Sequence, residues 1–113
     1  MLQQARSYRL FVGIDVSSCT FTFASMPSGK TPSRAHTLEQ TSVGFDHLNR
    51  HLLRLEPDPT AILVVMEATG TYWMRLALAL CDAHIAVAVV NPAQAHDFAK
   101  ALLKRSKTDA IDA

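Results

Sequence analysis

The stretch Leu10-Phe-Val-Gly-Ile-Asp-Val-Ser17 is a short apolar run with one carboxylate, Asp15, near its end. Val12, Ile14 and Val16 fall on one face at period 2, and Gly13, Asp15 and Ser17 on the other. So much Val, Ile and Phe predicts a strand buried in a sheet. A carboxylate inside such a strand is costly unless it is paired, hydrogen-bonded or bound to a cation. The rest of the chain must therefore supply a counter-charge for Asp15.

The bulk properties narrow the class. A chain of 113 residues is one domain with room for a core that needs no staples. Its 49% hydrophobic and 19% charged residues are ordinary for a globular chain. No apolar run approaches the roughly 18 residues of a membrane span, and Met-Leu-Gln-Gln-Ala-Arg at the start has no signal-peptide core. Cys19 and Cys81 sit in apolar segments without a pairing pattern, which favours a reduced cytoplasmic compartment. The net charge of +1 is uninformative, but Lys100, Lys104, Arg105 and Lys107 crowd into one stretch. Such a run is either a solvated face or a phosphate contact surface.

Residues 1 to 8 read as a loose tail. A second strand is expected over Cys19–Met26, then a turn-rich loop from Pro27 to Pro32 and a weaker strand over Arg34–Glu39. Thr41 or Ser42 can cap a helix to about Leu55, with Phe45, Leu48, Leu52 and Leu55 on its apolar face. Ala61–Met66 reads as a strand covered on both faces and ends in Glu67. Thr71 opens a second helix with Trp73, Leu76 and Leu80 as its core stripe, and Ile85–Val90 is a further strand. Asn91-Pro92 starts a third helix carrying Ala95, Phe98 and Leu102, and Thr108 caps a last turn with Asp109 and Asp112. Early strands in hairpins followed by alternating strands and helices predict an α/β fold. Its mixed sheet has three antiparallel strands, then parallel ones, flanked by helices.

Four acidic residues stand apart. If the Asp15 and Glu67 strands are neighbours, both acids reach the carboxyl end of the sheet, where open α/β sheets bind ligands. Asp109 and Asp112, three apart, share a helix face. Gathered carboxylates need a cation or protons, and hard oxygen donors favour magnesium or manganese over zinc. Two such ions about 3.5 to 4 Å apart can activate a water and stabilise the leaving oxygen of a phosphodiester. The bland readings stay open on spacing alone. Glu67 could cap a helix, Asp109 and Asp112 could favour a helix N-terminus, and Asp15 could hold a turn.

Four blocks occur in order: Gly13-Ile-Asp-Val-Ser17, Met66-Glu-Ala-Thr-Gly-Thr-Tyr72, Val90-Asn-Pro92 and Lys107-Thr-Asp-Ala-Ile-Asp-Ala113. Together they resemble the N-terminal domain of the DEDD transposases of bacterial insertion sequences, the IS-one-ten family, over roughly residues 10 to 113. The resemblance implies an RNase H-like (RuvC-like) fold and a divalent metal, Mg2+ or Mn2+, on a tetrad of Asp15, Glu67, Asp109 and Asp112. It implies DNA as the partner, cut and rejoined to move the element, with a guide RNA in some members. A homo-oligomer is compatible with it. The lysine that often follows the serine of the first block is Ser18 here, which removes a basic contact but not the tetrad. Family members continue into a helical region and a second domain with a nucleophilic serine. Residues 9–113 are thus expected to be a catalytic domain cut short of both and inactive alone in strand exchange, and Ser17, Ser18 and Ser106 take no nucleophile role.

Other candidates are weaker. His47 and His51, four apart, could grip a metal but read as a solvated helix face, and Cys81 with His84 is similar. Tyr72 could border the Glu67 loop, while Thr69-Gly70-Thr71 reads as a tight turn more readily than as a phosphate contact. Two other functions compete. An actin-like sugar kinase also begins with a Gly-Ile-Asp strand but needs a glycine-rich phosphate loop after it, where this chain has Val16-Ser-Ser-Cys-Thr20. A non-catalytic nucleic-acid-binding module would use the basic stretch and leave the acids structural.

Overall fold

The computed structural model describes residues 7–68 and 70–91. Strand β1 (Leu10–Val16) turns back into β2 (Thr20–Pro27), and β3 (His36–Glu39) completes an antiparallel meander. Helix α1 (Ser42–Leu55) and a short 3-10 turn (Pro59–Ala61) return the chain to β4 (Ile62–Glu67), which lies parallel to β1. Helix α2 (Trp73–Asp82) then leads to β5 (Ala86–Val90), parallel to β4. The order across the sheet is β3-β2-β1-β4-β5. This is the mixed α/β arrangement expected: an antiparallel meander joined to parallel strands, with helices packed on it.

Register follows from the period-2 pattern. Leu10, Val12 and Ile14 lie opposite Ile62, Val64 and Met66, so the buried sides of β1 and β4 form one surface. Phe21 and Phe23 extend it on β2, and Leu48, Leu52, Leu76, Ala77 and Leu80 cover it from the two helices. The opposite face carries Phe11, Gly13, Leu63, Val65, Ala86 and Ala88, all half-buried. Among the described residues no helix packs on that face. The expectation that β4 is covered on both sides therefore stands for one side among these residues.

Local chemistry sets the helix ends. Thr41 is the N-cap of α1, its hydroxyl accepting from the Gly44 amide at 3.1 Å. Gly44 presses against the end of β3, where any Cβ would collide with the carbonyl oxygen of Glu39. The apolar stripe of α1 effectively stops at Leu52, because Leu55, its last residue, is 50% exposed. Helix α2 starts at Trp73 rather than Thr71. Gly70, at φ 60, turns the chain there, and its carbonyl accepts from the Trp73 indole at 3.0 Å. Arg9 donates from Nε and Nη2 to the two Glu56 oxygens, at 2.9 and 3.1 Å, tying the start of β1 to the end of α1. That bond holds the Glu56 carboxyl below its ordinary range.

Cys19 and Cys81 are exposed free thiols. One expectation needs correction. His47 is exposed as expected, but His51 is half-buried: its ring meets Phe23 edge-on at 5.4 Å and lies 5.5 Å from the His36 ring, which itself stacks on Phe23. The period of α1 turns His51 toward the phenylalanine of β2, which composition alone could not reveal. Burial, then the charges of His36, Arg54 and His47, push the His51 pKa below its ordinary 6.5. The unfolded chain therefore takes up this proton before the native state does. The resulting stability is present above the ordinary value and is lost as pH falls through the native one. Urea midpoints are expected to drop as pH falls below the ordinary 6.5, with a shallower slope in His51→Gln.

Candidate metal centre

The pairing of β1 with β4 ends at Ile14 opposite Met66. Asp15 and Glu67 are the next residue of each strand, so they share one level at the carboxyl end of the sheet. Residues at one level of a parallel pair point to the same side, on strands about 4.8 Å apart. That side is opposite the core, since Ile14 and Met66 point into it. Asp15 is exposed and Glu67 half-buried. The buried, costly acid expected at position 15 is thus a surface acid: its strand is central, but its face is the one no described helix covers.

The row continues on the other flank. Thr22 lies opposite Asp15, and Thr37 opposite Thr22, with 2.9 Å between the two threonine hydroxyls. Thr37, Thr22, Asp15 and Glu67 therefore line one end of the sheet with oxygen atoms. Such a donor set suits a hard divalent cation. It is incomplete within the described residues, where no group of three or more His, Cys, Asp or Glu gathers. Asp109 and Asp112, the other two members of the expected tetrad, lie outside the described residues. So do the basic residues Lys100, Lys104, Arg105 and Lys107 and the third helix with Ala95, Phe98 and Leu102.

The loops behind the two acids are closely tied. The β1–β2 turn closes on itself: the Ser17 amide and hydroxyl both donate to the Thr20 carbonyl, at 2.9 and 3.0 Å. Gln40, between β3 and α1, donates from Nε2 to the Ser17 carbonyl at 2.9 Å and the Tyr72 carbonyl at 2.8 Å. Sequence reading missed Gln40, and no local pattern marks it, because its partners are 23 and 32 residues away. Tyr72, expected to border the site, is 51% exposed beside this tie, and Trp73 packs half-buried against the core. His84 and Cys81 are both exposed, with His84 at φ 67 where α2 ends.

Comparison with known proteins adds the family. Two curated relatives, pilin gene-inverting proteins of Moraxella bovis and Moraxella lacunata, are 32% and 31% identical over 105 residues. The match takes in 93% of this chain but only 32% of either relative's length. Among solved structures, the catalytic core domain of BIV integrase is similar at 14% identity and a TM-score of 0.45, over 90% of this chain and 66% of that one. A family model for DEDD transposases of the IS110 (IS-one-ten) type, described as a transposase, matches residues 12–113. The chain belongs to this family of transposases.

Proposed function

We propose that residues 9–113 form a RuvC-like catalytic domain that cuts and rejoins DNA with divalent metal, Mg2+ or Mn2+, held by Asp15, Glu67, Asp109 and Asp112. The supporting observation is the shared level of Asp15 and Glu67 on neighbouring parallel strands. Two carboxylates on one side of a rigid sheet offer oxygen donors whose spacing the backbone sets rather than flexible loops. When bound, the metal would polarise a scissile phosphodiester and lower the pKa of an attacking water. Asp15, being exposed, would present its oxygens without first losing a buried partner. Thr22 and Thr37 would offer neutral hydroxyls to the sugar-phosphate chain beside it. Lys100, Lys104, Arg105 and Lys107 would contact phosphates, of DNA and of a guide RNA where one is used. The Moraxella relatives are named for inverting a gene, and DNA inversion is a reaction of this class.

A manganese titration followed by thermal unfolding tests the reading. A site that binds only the native state adds about 2.7 kcal/mol at a hundredfold excess over Kd, which for a domain of this size is a rise of roughly 10 °C. Asp15→Asn removes one charged ligand and should lose at least half of that rise. Retention of the full shift in Asp15→Asn would place the metal elsewhere and defeat the proposal.

A further inference from the structure

We propose that Gln40 is a positioning residue for the two carboxylates: its side-chain amide fastens the turn after Asp15 to the loop after Glu67. This rests on the metal reading above and deepens it. The pairing of β1 with β4 reaches Ile14 and Met66, one residue short of the acids. At the level of the acids each is held by its outer neighbour, Asp15 opposite Thr22 of β2 and Glu67 opposite Val90 of β5. Ties past the strand ends add to what the sheet sets across the gap between them. Two negative carboxylates on the same side push apart until a cation arrives. Gln40 opposes that separation. Both hydrogens of its Nε2 are donated to main-chain carbonyls, one at Ser17, two residues past Asp15, and one at Tyr72, five residues past Glu67.

The anchor for this clamp is firm. The Gln40 amide donates to the Cys19 carbonyl at 2.9 Å, so residue 40 grips the β1–β2 turn through its backbone as well as its side chain. The next residue, Thr41, caps α1, whose Leu48 and Leu52 are fully buried in the core. On the far side, Ala68 donates to the Val90 carbonyl at 2.8 Å, and the Trp73 indole holds the Gly70 carbonyl. A neutral amide suits the task because both partners are acceptors. Glutamate at position 40 would face two carbonyls with an acceptor, and methionine would keep the length while removing both donors.

Electron paramagnetic resonance of free Mn2+ gives the dissociation constant for the 113-residue chain at a temperature where circular dichroism shows each variant folded. Gln40→Met and Gln40→Glu are expected to weaken binding about tenfold, the scale found when groups that orient ligands are removed. Thr41→Ala is the control. It loosens the same end of α1 but leaves the Ser17 and Tyr72 bonds alone, so its Kd should stay within about twofold of the parent while its melting temperature falls. Gln40→Asn, which keeps the amide but loses reach, should shift Kd in the same direction and serves if Gln40→Met does not fold. Hydrogen exchange in the metal-free chain adds a second readout, with faster exchange at Ala68 and the Ser17 turn in the Gln40 variants than in Thr41→Ala. If the Gln40 variants bind Mn2+ like the parent while Asp15→Asn does not, the clamp is refuted and the metal site stands. If the parent binds no tighter than Asp15→Asn, the metal reading itself fails and takes the clamp with it.

Discussion

Asparagine in place of Asp15 is expected to slow strand cleavage about a thousandfold or more, because a metal's stabilisation of several kcal/mol converts to that factor in rate. Asn keeps the size and one oxygen but removes the charge that would hold a divalent ion against its water shell. Asp15 is exposed and its strand pairs through backbone groups, so the substitution should leave folding nearly unchanged. Glu67→Gln should act similarly, and the double variant should cost little beyond either single one if the two acids serve one centre. The measurement is release of cut DNA ends by the transposase carrying each variant, with Mg2+ and with Mn2+. Cleavage within about tenfold of the parent would mean that Asp15 is not a ligand whose charge the reaction needs.

The second large effect lies in the core. Leu52→Ala should destabilise the fold by about 2–5 kcal/mol, a large share of the total for a domain this size. The melting temperature should fall by roughly 10 to 20 °C. Leu52 is fully buried, in the same core cluster as Phe21, Val12 and Val64 of the sheet. Leu55→Ala, one turn on, is the contrast: that side chain is 50% exposed and its loss should fall within about 0.5 kcal/mol of neutral. Equal effects of the two on thermal unfolding would contradict the described placement of α1.

Much of this architecture is legible in the sequence. The alternation of Val12, Ile14 and Val16 identifies β1 and its faces, and the Thr41-Ser42 pair marks the start of α1, because both signals are local. Strand β4 was less transparent. Its continuous apolar run concealed that Ile62, Val64 and Met66 enter the core while Leu63 and Val65 lie on the other face. The four motif blocks led to the transposase family that the comparison of residues 12–113 then showed. His51 was misread because a histidine on an amphipathic helix looks solvated until its neighbour on the sheet is known.

The sequence by itself determined the element types, the core faces of β1 and α2, and the family. Dihedral preference, 2.0 and 3.6 residue periods and capping chemistry act over a few residues and leave their mark in composition. Tertiary structure alone decided that β1 and β4 are neighbours in a register that levels Asp15 with Glu67. It also decided that Asp15 faces outward, and that Gln40 bonds to two loops distant in sequence. Those facts depend on how the sheet orders its strands and how α1 crosses it. A hydrogen bond spanning 32 residues arises from that shape, and a glutamine carries no pattern that announces it.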